Sequence, residues 1–135
     1  MAANPRMNRE FAEWWRRALD ARTQLVLPEI ADYEVRRELL RANLDLSLAR
    51  LDGLASGLRY EALTTGIMRR AAQLWADARN RGRPTAPEAA LDADVILAAT
   101  ALELQHEGDD VLIVTTNVGH LAQFAPAALW TEVTV

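Results

Sequence analysis

The sequence predicts an α/β sandwich with a mainly parallel sheet. Two observations carry this reading: the apolar runs at residues 25–27 and 111–114 are strand-length, and helix-period segments alternate with them. A third is that the first run passes into a helix across a single proline, Pro28, as at a strand-to-helix junction. At 135 residues and 50% hydrophobic composition, the chain suits one domain with one core.

Taken in order, residues 8–21 place Phe11, Trp14, Trp15, Ala18 and Leu19 at helical spacing behind Asn8, a good capping residue. Residues 25–27 read as a strand, and Pro28 fits the first position of a helix over 29–42. Leucine-rich 44–58 reads as a further helix loosened at its end by Gly53 and Gly57, and 60–63 as a short strand. Thr64 or Thr65 then caps a helix over 67–79. Residues 80–87 form the one clear loop. After Gly108, the run 111–114 is β-branched and apolar on both faces, as in a central parallel strand. Residues 117–124 read as a turn or short helix, and 129–135 as a last strand.

Composition narrows the chemistry. There is no cysteine, which excludes disulfides, thiolate metal sites and cysteine nucleophiles and fits the cytoplasm. Any metal must therefore be held by oxygen or histidine. The start of the chain does not read as a signal peptide, and no apolar run reaches membrane-spanning length. A net charge of −4 argues against holding nucleic acid by bulk electrostatics, so positive charge must be concentrated locally. All fifteen cationic side chains are arginine, and Arg36 with Arg37 is the pair closest to the candidate site below.

The most informative stretch is 91–102, where Asp92 and Asp94 open a strongly apolar helix. Val95, Ala98, Ala99 and Leu102 repeat at i, i+3, i+4, i+7, the stripe of a helix packed on a core. At 100° per residue Asp92 and Asp94 point about 200° apart, so they cannot share a direction. Asp92 then reads as the helix cap, and Asp94 as the carboxylate beside the packed face. Ligands of parallel sheets bind beyond the carboxyl ends of the strands. Three groups meet that condition: Glu34 in the helix after the first strand, Asp94, and Thr115, Thr116 and Asn117 directly after 111–114. Such a set of carboxylates, amide and hydroxyls is a hard-oxygen site suited to Mg²⁺ or Mn²⁺. Structural roles stay open to each, Glu34 as an i, i+3 partner of Arg37 and Asn117 as a cap. His106 and His120 are too far apart in sequence to suggest a zinc site, and the four tryptophans read as core.

Three blocks, residues 28–39 around Glu34, 92–99 with Asp92 and Asp94, and 114–121 with Asn117, together resemble the PIN-domain ribonucleases found as VapC-like toxins of toxin–antitoxin pairs. The resemblance implies a PIN-like three-layer sandwich and Mg²⁺- or Mn²⁺-dependent endoribonuclease activity. It implies Glu34, Asp94 and Asn117 as catalytic residues, Asn117 standing where many relatives carry aspartate, and Glu34, Asp94 and Asp92 as the metal carboxylates. Arg36, Arg37, Thr115 and Thr116 are the candidate RNA contacts. Expected partners are RNA, an antitoxin protein and a second copy of the chain. The family also opens with a central strand ending in aspartate, which these 135 residues do not contain; reduced stability and negligible nuclease activity are the expectation for the chain as written. Two other readings stand beside this one: an inactive PIN-like module that binds RNA or an antitoxin, and an acidic-pocket phosphohydrolase or receiver-like domain using Asp92-x-Asp94. The last is disfavoured because its motif belongs directly after a first strand, whereas here it opens a helix.

Overall fold

The computed structural model describes residues 5–21, 24–81, 88–106, 108, 110–114 and 121–129. Their order is α1 (Pro5–Asp20), β1 (Val26–Pro28), α2 (Glu29–Arg41), α3 (Asp45–Gly57), β2 (Arg59–Glu61), α4 (Thr65–Asn80), α5 (Glu88–His106), β3 (Ile113–Val114) and β4 (Ala127–Ala128). Helices and short parallel strands alternate, as the apolar pattern required.

Proline opens α1, where its missing N–H costs nothing. The helix buries Trp14 and Ala18, and Phe11 stacks on both Trp14 and Trp15 at 5.8 and 6.2 Å between centroids. Pro28 ends β1 and caps α2 in extended conformation (φ −71°, ψ 143°), one residue earlier than the sequence placed it. At the other end of α2, the Asn43 N–H donates to the Leu40 carbonyl and the Leu44 N–H to the Leu39 carbonyl. This is a Schellman closure, with Asn43 in the left-handed region at φ 55°. It turns the chain sharply enough for α3 to pack on α2.

Strand β1 pairs with β2 in parallel register, Val26 opposite Arg59 and Pro28 opposite Glu61. Beyond β2, the Leu63 N–H donates to Glu29 Oε1 at 2.9 Å, fastening the strand's exit to the start of α2. Thr64 is the cap of α4: its Oγ1 accepts from the Ile67 N–H at 3.1 Å, satisfying one orphan donor of the first turn.

Helix α5 is buried along two faces. Val95 and Ala99 meet Ile67 and Ala71 of α4. Ala98 and Ala101 meet Ile113, Leu121 and Ala125. Alanine at each contact lets the elements approach closely, as the stripe in the sequence implied. Gln105 Nε2 donates to the Val111 carbonyl at 3.2 Å and ties the end of α5 to the approach of β3.

Three expectations need correction. Helix α5 begins at Glu88, so Asp92 lies inside it and cannot be its cap. Residues 111–114 are not buried on both faces: Ile113 is 8% exposed, but Leu112 and Val114 are 46% and 43% exposed. The reason is pairing, because among the described residues β3 is bonded to β4 alone and β1 to β2 alone, giving two parallel pairs rather than one continuous sheet. The last described strand is Ala127–Ala128, earlier than the expected 129–135, of which 130–135 lie outside the described residues. Among the described residues no helix is long and apolar enough to cross a membrane.

Candidate functional site

Helix α2 starts at the carboxyl end of β1 and packs against α5, so the carboxylates each helix carries on the shared side are brought to one place. Glu34 comes from α2 and Asp94 from α5. Helical phase separates Asp94 from its neighbour as expected. Asp92 is exposed, while Asp94 is half-buried and its Oδ2 is closed off from solvent.

The electrostatics at Glu34 agree with this placement. Its carboxyl is raised from the ordinary glutamate value, chiefly by burial, with an opposing pull from Arg37 and a smaller push from the negative charge of Asp94. Two partly desolvated carboxylates from separate elements therefore repel one another across the α2–α5 seam. A divalent cation between them would offset both the burial of charge and the mutual repulsion. Carboxylate oxygens are the donors Mg²⁺ and Mn²⁺ prefer, and Mg²⁺ is commonly held by one or two carboxylates while keeping several waters. The donor set of Glu34 and Asp94 fits such an ion. Among the described residues no group of three or more histidines, cysteines or carboxylates could hold a metal, and Asp92 is exposed.

A second polar cluster lies behind Glu34. Tyr60 donates its hydroxyl to Asp32 Oδ2 at 2.7 Å, and Arg36 Nε donates to Asp32 Oδ1 at 3.1 Å. Arg36 also reaches Asp52 Oδ1 on α3 at 2.8 Å. Asp32 is buried and doubly satisfied, and its bond pushes the Tyr60 phenol up to about 12. The cluster joins α2, α3 and β2 around the turn that carries Glu34. The sequence pairs Arg36 with Arg37 as a candidate phosphate contact, but the Arg36 guanidinium is divided between two aspartates. Arg37 is placed differently: its Cζ lies 5.3 Å from the centre of the Tyr33 ring, and its charge acts on Glu34.

Sequence reasoning missed Asp32 and Tyr60. The i, i+4 spacing of Asp32 and Arg36 was a usable signal for half of the cluster, whereas Tyr60 is brought in by the β1–β2 pairing. Thr115, Thr116 and Asn117 lie outside the described residues, as does His120.

With helices packed on short parallel strands and acidic residues meeting at a strand's carboxyl end, the chain can be compared with known families. The family model described as PIN domain matches residues 5–120. This chain belongs to the PIN domain family. The fold agrees: a solved structure described as VapBC-1 from nontypeable Haemophilus influenzae superposes on this PIN domain with a TM-score of 0.63. The two share 18% identity over 83% of this chain and 78% of that one, a likeness of fold. No curated protein matches the sequence.

Proposed function

We propose that this PIN domain is a Mg²⁺- or Mn²⁺-dependent endoribonuclease, the toxin of a toxin–antitoxin pair, acting in the cytoplasm. The observation that carries the reading is the packing of α2 against α5, which sets Glu34 of one helix and Asp94 of the other at the same seam, close enough for the charge of Asp94 to act on Glu34. These two side chains hold the ion. When bound, the metal would neutralise the scissile phosphodiester and lower the pKa of a water so that it can lose its proton and act as the nucleophile.

The chain's own residues do the positioning. Burial on α5 fixes Asp94, whose helix is gripped on two faces by apolar contacts. Glu34 is fixed by the Asp32–Arg36–Asp52–Tyr60 cluster, which anchors its helical turn to β2 and α3. Arg37 stands beside Glu34 and supplies positive charge where a phosphate would approach. Asn117, with Thr115 and Thr116, is the proposed remaining contribution from the segment after β3. The likeness to the VapBC-1 structure supports an antitoxin as protein partner, and a second copy of the chain is a further proposed partner.

The test is cleavage of a fluorescently labelled single-stranded RNA with and without Mn²⁺. Cleavage by the wild-type chain, expected to be weak, should require the metal; Asp94→Asn should abolish it, and Asp92→Asn should retain it. Metal-independent cleavage, or equal loss in both variants, would contradict the assignment.

A further inference from the structure

Tyr33 is a large ring left 57% exposed on α2, directly before Glu34, and the carboxylate pair makes no use of it. Arg37 lies over this ring at 5.3 Å. Tyr33 is also one wall of a depression of about 450 Å³ between α2 and β2, whose apolar walls are Ile30, Tyr60 and Leu63. One helical turn thus joins an aromatic wall, a guanidinium and a metal-type carboxylate.

We propose that Tyr33 and Arg37 form a ledge that binds one unpaired nucleotide of single-stranded RNA, with the base against Tyr33 in the depression and the adjoining phosphate on Arg37. The inference rests on the endoribonuclease reading for what the neighbouring carboxylates then do. Two features favour RNA over a protein segment, and one favours a single strand over a duplex. A solvent-facing tyrosine offers a π-face to any base, and stacking of this kind tolerates sequence. A duplex keeps its bases stacked on each other, so only a single strand can present one. Charge also sorts the two halves of a nucleotide. The depression carries Glu29, which accepts from the Leu63 N–H, and Asp32, which is bonded through both oxygens. These acids repel a phosphate and admit a neutral base, while Arg37 on the Glu34 side attracts the phosphate. Arg36, divided between Asp32 and Asp52, frames the depression rather than binding the backbone.

The experiment uses the full 135-residue chain and a single-stranded RNA dodecamer carrying 2-aminopurine, titrated without divalent metal, with its duplex as control. Stacking on Tyr33 quenches the fluorophore in the single strand. Tyr33→Phe keeps both quenching and affinity because the ring remains, whereas Tyr33→Leu loses the quenching and about tenfold in affinity, the scale of one base stack. Arg37→Gln weakens binding and lowers the salt slope by about 0.7, one phosphate contact on a single strand. Wild-type affinity and quenching in Tyr33→Leu, tighter binding of duplex, or no RNA binding by wild type each overturns the ledge, the last being the result expected if the surface serves a protein partner. Cleavage is read separately. Unchanged binding by Tyr33→Leu alongside Mn²⁺-dependent cleavage that Asp94→Asn abolishes sinks the ledge and leaves the nuclease reading standing. Tyr33-dependent binding with no cleavage at any Mn²⁺ concentration supports the ledge and replaces the nuclease reading by that of an inactive PIN-like module that binds RNA.

Discussion

The α4–α5 seam and the α2–α3–β2 corner are built from different materials. The first is dry and alanine-rich, Ile67 and Ala71 against Val95 and Ala99, with no ion pair deeper than the half-exposed Arg70–Glu103 contact among the described residues. The second is held by a buried aspartate bonded to a tyrosine and an arginine, and leaves Tyr33, Val35, Leu40, Leu44 and Leu46 exposed. Close packing fixes position without directional bonds, and a polar cluster fixes it through a few bonds of defined geometry. The candidate site takes one carboxylate from each, Asp94 from the dry seam and Glu34 from the polar corner. Its two halves should therefore fail in different ways.

The largest effect is expected in the dry seam. Ala99 is fully buried, so Ala99→Leu must push α4 from α5 and should cost ~1–3 kcal/mol, or more if the backbone cannot shift. Urea unfolding measures this, and a neutral outcome would mean the seam is looser than its alanines indicate. The polar corner should come next. Asp32→Ala strips the acceptor from Tyr60 and one partner from Arg36, a loss of ~1–3 kcal/mol, most of it from groups left without their bond. Asp52→Ala removes only the exposed end of the same cluster and should cost under ~1 kcal/mol. Equal costs for the two aspartates would deny that burial at Asp32 is what gives the corner its strength.

A smaller effect isolates the site itself. Because the folded-state pKa of Glu34 is raised, its protonated form favours the fold, a contribution complete below the ordinary glutamate value and lost as pH rises through the folded value. Glu34→Gln should then stabilise the metal-free chain slightly at pH 7, by a screened fraction of a surface charge interaction, and not at all well below pH 4.5. Thermal melts across that range, without divalent metal, check the sign. Destabilisation by Glu34→Gln at pH 7 would show that Arg37 outweighs burial and Asp94 together.

Much of this was legible beforehand, and what was not has physical causes. Helices α2, α3 and α4 follow from local pattern, and the Thr64 cap from a hydroxyl placed before an apolar repeat. Glu34 and Asp94 are candidates from sequence because each lies at a computable place relative to a strand end. Asp92 resembles a cap because it follows the loop that ends at Pro87, yet Glu88-Ala89-Ala90-Leu91 lies between the two. Alanine, glutamate and leucine are strong helix formers, and they carry α5 back to Glu88. The Tyr60–Asp32 bond spans 28 residues and no periodicity announces it. Pairing of strand edges is equally non-local, which is why 111–114 was expected to be buried on both faces and is half-exposed in fact.

The central claim is that one divalent ion is shared by Glu34 on α2 and Asp94 on α5. The most direct measurement is the rise in melting temperature on adding Mn²⁺, for wild type, Glu34→Gln, Asp94→Asn and Asp92→Asn at one pH. A shared ion predicts a rise in the wild type that grows with Mn²⁺ as mass action requires, persists in Asp92→Asn, and is lost in either of the other two single variants. A rise that survives both Glu34→Gln and Asp94→Asn, or one that only Asp92→Asn removes, would contradict it.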